Sequence, residues 1–464
     1  MKKISLLFLL ILSFFIHESA WAAENKFGIH ILEPSDLDKA AGLVNSNGGD
    51  WGYVTVVIRD DDLNFDKWQD FMNSCREKHL IPLVRLATHL ETGGPNWVKP
   101  KAEEAEKWAN FLENLNWPVK DQYVIIFNEP NHTKEWGGVI NPKEYSRVLL
   151  AFIEKIKLKN ENFKVLNAGL DLAAPNSKTT MEAGKFLQEM NWEIPGIFDQ
   201  LDGWASHSYP NHGYLGKPWD TGKTSVRGYE WEILTLKNQF KVKKDLPVFI
   251  TETGWPANDS KIKNQKSKIK FYDWNTVSNY LKYAFESVWL KDIRVKAITP
   301  FVLNYPESLF SDFSWLDKEG NTYPQYETIK NLAKINWWPE QIQKITLSKI
   351  DLPPFILTNS SYKGRIIITN EGQSILGEKE SFILKIIQKD REIHVSDLIP
   401  EKNFIKPKEK VWLDFEIKTG SKSGEFNFEW EALGPQKIKV VKPSILAKAS
   451  LTFWEKILAK IKFW

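Results

Sequence analysis

Eight short runs of β-branched and aliphatic residues, most followed by an amphipathic stretch, constrain this chain more than any other feature. They occupy residues 27–32, 53–59, 81–87, 123–128, 164–170, 201–207, 247–251 and 295–303. Several are apolar almost throughout, as in Val54-Thr55-Val56-Val57-Ile58, a pattern that suits parallel strands covered on both faces. Between them Trp68, Phe71, Met72 and Cys75 fall at i, i+3, i+4 and i+7, which predicts a helix with Cys75 on its core face. Pro324 predicts the start of another helix, where its missing N–H costs nothing, with Tyr326, Ile329 and Ala333 on one face. Eight strand–helix units within about 310 residues predict a (β/α)8 TIM barrel of the α/β class. A doubly wound open sheet would alternate as well, but the chain has no G-x-G-x-x-G turn and no P-loop.

The pattern changes after Trp337-Trp338-Pro339. Phe426 and Phe428 alternate with Glu425, Asn427 and Glu429, and Val411, Leu413, Phe415 and Ile417 share one face. Short period-2 runs broken by Asn370-Glu371-Gly372 and Thr419-Gly420-Ser421 predict a small antiparallel β-sandwich, immunoglobulin-like in kind. The expected plan is a signal peptide at 1–22, a barrel at 23–338, a linker at 339–354, the sandwich at 355–443 and a basic amphipathic helix at 444–464.

The N-terminus reads as an export signal. Lys2 and Lys3 precede an almost wholly apolar stretch, and Ala20-Trp21-Ala22 supplies small residues at the two positions that cleavage requires. The apolar stretch is about 13 residues, short of the roughly 20 that span a bilayer, so a secreted or extracytoplasmic protein is expected. The net charge of +3 hides an asymmetry: seven lysines and one acid, Glu455, follow Gln436, which leaves residues 23–436 mildly acidic. Basic residues confined to one tail argue against nucleic acid as the ligand. In that tail Leu446, Phe453, Trp454, Ile457, Leu458, Ile461 and Trp464 recur at steps of three and four, with Lys448, Lys456, Lys460 and Lys462 off or beside the stripe. Such a helix either docks on the body of the protein or rests on an anionic membrane surface.

One cysteine excludes an intrachain disulfide and a thiolate zinc site. No H-E-x-x-H and no G-x-S-x-G occurs, so neither a zincin nor an elbow-type serine hydrolase is indicated, and no metal or other cofactor is implied. Aromatics are abundant, with 21 Trp, 27 Phe and 13 Tyr, a surplus that suits sugar stacking and core packing alike.

In a barrel the reactive groups sit at the carboxyl ends of the strands, and two of these ends carry a glutamate. The fourth reads Val124-Ile125-Ile126-Phe127-Asn128-Glu129-Pro130 and the seventh Val248-Phe249-Ile250-Thr251-Glu252-Thr253-Gly254-Trp255. A carboxylate directly after a buried apolar run is costly without a partner. Two of them facing each other across a barrel mouth are what retaining glycoside hydrolysis needs.

Asn128-Glu129-Pro130 on strand four, Glu252 on strand seven and His207-Ser208-Tyr209 after strand six resemble the large clan of (β/α)8 retaining glycoside hydrolases, clan A, that includes family 5 cellulases and family 39 β-xylosidases. The resemblance covers residues 27–335. It implies that Glu129 is the general acid/base and Glu252 the nucleophile, that Asn128 bonds the sugar 2-hydroxyl, that Tyr209 keeps Glu252 ionised and that His207 lies near the pair. It also implies an arginine near the nucleophile, for which Arg59 and Arg85 are equal candidates. His30 would line the cleft floor, and Trp136, Trp219, Trp255 and Trp315 lie in loops where a ring could stack on sugar. Strand eight departs from the clan by lacking a terminal tryptophan, for which Phe301, Tyr305 or Trp315 could stand in. The expected activity is hydrolysis of β-linked poly- or oligosaccharide. A non-catalytic carbohydrate-binding or envelope scaffold and a transglycosylase are the alternatives. Glucan, mannan, xylan and an exopolysaccharide all fit as substrate, and nothing indicates the oligomeric state.

Overall fold

A computed structural model describes residues 24–258, 270–305 and 310–461, with 455–461 as backbone alone. The expected signal peptide and the last three residues of the tail lie outside the described residues. Strands and helices alternate as β1 (Gly28–His30), α1 (Leu37–Val44), β2 (Gly52–Arg59), α2 (Phe65–Glu77), β3 (Leu80–Ala87), α3 (Ala105–Asn114), β4 (Gln122–Ile125), α4 (Pro142–Lys159), β5 (Phe163–Leu166), α5 (Ala183–Glu193), β6 (Trp204–His207), α6 (Gly228–Asn238), β7 (Val248–Glu252), α7 (Trp274–Ala284), β8 (Val295–Ile298) and α8 (Pro324–Lys330). All pairings among these strands are parallel, in one sheet ordered β1-β2-β3-β4-β5 and another ordered β6-β7-β8. Isolated parallel bridges link the two sheets at both edges, Leu166 to Gly203 and Phe27 to Ile298.

The near-continuous apolar runs have a simple cause: each strand face feeds a different core. Tyr53, Leu83, Tyr123, Ile125, Ala205, Phe249 and Ala297 form one cluster, stopped at one end by Trp51, Trp337 and Trp338. The alternate residues, Val54, Val56, Val84, Val124 and Ile250 among them, join the helices in a second and larger cluster. Trp68, Phe71, Met72 and Cys75 lie buried on α2 as their spacing predicts. Helix α8 starts at Pro324 but stops at Lys330, so the expected helical face loses Ala333, which is exposed. Much of the tryptophan surplus is core: Trp51, Trp68, Trp108, Trp117, Trp136, Trp204, Trp289 and Trp430 are all fully buried.

The second region has its own core, built from Ile366, Ile368, Leu413, Phe415, Ile417, Phe428 and Trp430 with their neighbours. Its strands are β9 (Ile345–Ile350), β10 (Ile356–Leu357), β11 (Ser361–Asn370), β12 (Ile386–Lys389), β13 (Ile393–Val395), β14 (Ile399–Pro400), β15 (Lys410–Thr419), β16 (Gly424–Trp430) and β17 (Gly434–Val441). They form sheets ordered β10-β17-β16-β12 and β13-β15-β11-β9, with β14 beside β15. Two expectations need correction. The stretch read as linker contains β9, which pairs antiparallel with β11; its polar-rich alternation disguised an edge strand. The pairing of β10 with β17 is parallel, so the region is not wholly antiparallel.

The loop after β11 fastens this region to the underside of the first, near the amino ends of β3 and β4. Gln373 donates Nε2 to the Val119 carbonyl at 2.9 Å, and Asn116 donates Nδ2 to the Gly372 carbonyl at 3.1 Å. Arg76, buried at the end of α2, bonds the Asn116, Trp117 and Gln373 carbonyls. The carboxyl ends of the strands, on the opposite side, stay open. A final helix, α9 (Ile445–Ile461), follows β17. No helix among the described residues is long and apolar enough to cross a membrane.

Candidate functional site

The chain after β4 makes an abrupt turn that delivers two candidate side chains, Asn128 and Glu129, to the strand ends. Phe127 and Glu129 take φ of 71° and 28°, the left-handed region that non-glycine residues seldom enter. The turn is held by bonds from the Ile126 N–H to the Leu166 carbonyl and from the Glu129 N–H to the Gly169 carbonyl, both at 3.1 Å. Gly169 must be glycine here, since a Cβ would lie 2.2 Å from Cδ2 of His207. His207 ends β6, immediately after a register shift against β7 that re-aims its ring. Glu252 is the last residue of β7.

Glu129 and Glu252 open into one cleft of about 370 Å3, lined also by Arg85, Asn128, Glu135, Tyr209, Tyr214, Phe301 and Tyr305 with Trp97, Phe310 and Phe313. One oxygen of Glu129, one of Glu252 and a ring nitrogen of His207 all lie within 4.8 Å of each other. His207 Nδ1 is 2.8 Å from Glu129 and 3.8 Å from Glu252. On Glu252, Arg85 donates to Oε1 and Tyr209 donates its hydroxyl to Oε2 at 3.1 Å. Arg85 also donates to the Asn128 side-chain carbonyl at 2.7 Å.

The electrostatics separate the groups. Burial acts to raise the Glu252 carboxyl, but the charges of His207 and Arg85, with the Arg85 hydrogen bond, override it and hold the group down to about 2. Burial acts to lower His207, and the carboxylates of Glu252 and Glu129 outweigh it, so the imidazole titrates above its usual range. Burial, with Arg85 adding repulsion, pushes His30 down to about 3, which keeps its ring neutral 3.9 Å from Glu252. Burial and the charges of Glu252 and Tyr214 raise the Tyr209 phenol, which therefore stays a donor. Burial and the Glu129 charge push Glu135 up to about 7, against Arg85 and a hydrogen bond from Asn128.

Not every expected residue belongs to this cleft. Between the two candidate arginines, Arg85 faces Glu252, whereas Arg59 turns to Asp61 at 2.8 Å on the surface. Trp136 is fully buried against Phe127 and Tyr145 and donates to Glu144, so it offers no face to a ligand. Trp255 is buried, donating to the Gly216 carbonyl at 2.8 Å, and Trp315 is core; neither ring is open for stacking. Trp219 is exposed, but packs against Tyr280 and Tyr283 on α7. Phe301 and Tyr305 do line the cleft where the strand-eight tryptophan is missing. Sequence reasoning missed Glu135, Tyr214, Trp97, Phe310 and Phe313. The available signal was their place in loops after strands three, four, six and eight, shared with many aromatic and acidic residues that turn elsewhere.

Glu129, His207 and Glu252 together have the donor set of a cation site. Here the Arg85 guanidinium already occupies Glu252 and would repel a second positive charge, so the cluster is balanced without a metal.

No family model and no curated protein sequence matches the chain. Among solved structures it is similar to a family 39 glycoside hydrolase from the gut symbiont Bacteroides cellulosilyticus, at 13% identity and a TM-score of 0.46 over 86% of this chain and 81% of that one. A monomeric β-xylosidase from Caulobacter crescentus gives 10% and 0.46, and a glucosidase from Croceicoccus marinus 11% and 0.48, each over 86% of this chain and 97% of the other. Structural neighbours of this chain are thus glycoside hydrolases. At these values the likeness decides nothing about activity, which has to come from the chemistry of the cleft.

Proposed function

We propose that the protein is a retaining glycoside hydrolase that cleaves β-linked bonds of a poly- or oligosaccharide by double displacement, with Glu252 as nucleophile and Glu129 as acid/base. The observation that carries this reading is the carboxylate pair, at most 4.8 Å apart at its nearer oxygens and differently surrounded on its two sides. Inverting enzymes need about 6.5–9.5 Å to admit a water between the carboxyls, whereas retaining ones keep them about 5–5.5 Å apart.

In the first step a Glu252 oxygen attacks the anomeric carbon while Glu129 donates its proton to the leaving glycosidic oxygen. In the second, Glu129 takes a proton from water, whose oxygen displaces Glu252 from the sugar. His207 and Arg85 keep Glu252 ionised, and the hydrogen bonds from Arg85 and Tyr209 fix its aim. His207, between the two carboxyls, supplies positive charge as the proton leaves Glu129 and returns. Asn128, which Arg85 holds at the cleft, would bond the hydroxyl next to the reacting carbon, and Phe301 and Tyr305 give the ring an apolar wall. A protein that only binds sugar has no need of so costly a buried charge cluster. The reading includes the architecture: β1–β8 close as one (β/α)8 barrel through the Leu166–Gly203 and Phe27–Ile298 bridges. The sandwich is an accessory domain on its underside, and the enzyme acts outside the cytoplasm.

The test is a panel of aryl β-glycosides and β-linked polysaccharides against wild type, Glu252→Ala and Glu129→Ala, with the first product's anomer followed by NMR. We expect retention, loss of nearly all turnover in Glu252→Ala, and in Glu129→Ala survival on activated phenols with rescue by azide. An inverted first product, or equal loss in both variants on activated substrates without rescue, would overturn the assignment.

A further inference from the structure

The basic C-terminal segment takes no part in the cleft, and its exposure has to be explained separately. Ser444 caps α9, its Oγ accepting from the Ala447 N–H at 3.1 Å, so a defined helix start follows the Lys442-Pro443 step out of β17. Ile445, Leu446 and Phe453 are 89%, 81% and 67% exposed. Leu446 and Phe453 are seven residues apart, two turns along one line of the helix. Ala447, Leu451 and Trp454, at steps of four and three, are half-buried on the neighbouring line. Lys448 and Thr452 fall on the far side and are exposed. The helix thus keeps open an apolar edge that a globular protein has every reason to cover.

Charge tells which cover fits. Seven lysines and one acid lie beyond Gln436. Among the described residues Lys437 pairs with Glu425, while Lys442 and Lys448 have no acidic partner. Protein interfaces are depleted of lysine around their apolar cores, whereas anionic lipid surfaces attract it beside an apolar stripe.

We propose that α9 is an interfacial helix that lays its Leu446–Phe453 edge into an anionic lipid surface and so holds the protein against a membrane without crossing it. The inference is independent of the proposed activity, since it uses no residue of the cleft. It keeps the protein at a membrane surface rather than in free solution.

The experiment is co-sedimentation of the full chain with vesicles of phosphatidylcholine alone or mixed with phosphatidylglycerol, at low and high salt. Wild type should pellet with the phosphatidylglycerol vesicles at low salt and remain in solution with phosphatidylcholine. Leu446→Glu/Phe453→Glu should weaken partitioning at least about tenfold, from the loss of two inserted apolar side chains. Lys442→Gln and Lys448→Gln should each weaken it by about fivefold, an effect that high salt erases. All these side chains are exposed, so thermal unfolding of the variants should match wild type and serves as the check on folding. Equal partitioning of wild type and variants overturns the proposal. So does a wild type that self-associates without vesicles and becomes monomeric in Leu446→Glu/Phe453→Glu, because the edge would then be a protein interface.

Discussion

Arg85→Gln removes the fixed cation facing Glu252 and should be visible both in the pH profile and in stability. Glu252 is held down to about 2 against the upward pull of burial, by His207 first and Arg85 next. His30 adds little at neutral pH, because it is itself uncharged above about 3. An opposite charge at this range lowers a carboxyl by about 1–3 units, so without Arg85 the group should titrate at about 3–5. The acid limb of kcat/KM on an aryl glycoside follows the free enzyme's essential base and should rise by the same amount. At pH 7 Glu252 remains ionised, and the loss is one of aim: a charge-assisted hydrogen bond of about 1.5–3 kcal/mol, or roughly 10- to 150-fold in kcat/KM. Stability follows by linkage. A carboxyl depressed in the folded state stabilises above its unfolded value of about 4.5, and that contribution disappears as pH falls toward 2. The variant should therefore be less stable at pH 7 by about 1–4 kcal/mol, with the deficit shrinking between pH 4.5 and 2. The assays are kcat/KM and thermal unfolding across that range. An acid limb that stays put, with a pH 7 rate within about threefold of wild type, would refute the idea that Arg85 holds the nucleophile.

Two further predictions follow from the packing around Glu129. Gly169→Ala pushes a methyl to 2.2 Å from the His207 ring, so the ring must move; kcat/KM should fall about a hundredfold, and Gly169→Ala/His207→Ala should be no worse than His207→Ala alone. A double variant much worse than either single one would mean that Gly169 acts on the fold rather than on His207. Glu135 is raised to about 7, so its contribution to stability is complete below pH 4.5 and is lost as pH rises through 7. Glu135→Gln should leave Tm unchanged near pH 4.5 and raise it relative to wild type at pH 8. A Tm difference that is flat over that range would contradict the assignment.

Why some site residues were legible and others were not comes down to register. Glu129 and Glu252 stand out because each closes an apolar run of sequence, where a charge is costly without a partner. Arg59 and Arg85 look alike in sequence, both near the carboxyl end of a strand. In the sheet Arg85 lies opposite Val57, while Arg59 lies opposite Ala87, two residues farther toward the strand end, and turns back to Asp61. Nothing local to either strand encodes that offset. The tryptophans failed for a different reason: burial and stacking select the same apolar ring. Trp136 goes to the core between Phe127 and Tyr145, whereas Phe301 and Tyr305, with less aromatic surface, reach the cleft. The edge strand β9 looks like linker in sequence because only half of its residues are apolar and its outer face is wet.

By itself the sequence determined the alternation of strands and helices, since doubly covered strands must be apolar on both faces, and it determined which two strand ends carry a carboxylate that needs a partner. It also determined that a basic amphipathic stripe ends the chain, because helical spacing and charge are local properties. Tertiary structure alone decided which arginine meets Glu252, that His207 sits between the two carboxyls where Gly169 leaves room for its ring, and that Glu135 joins them. Those outcomes depend on strand offsets, on a register shift at His207 and on a turn through left-handed backbone at Phe127 and Glu129. The distances they set between chain segments far apart in sequence are not written in any one segment.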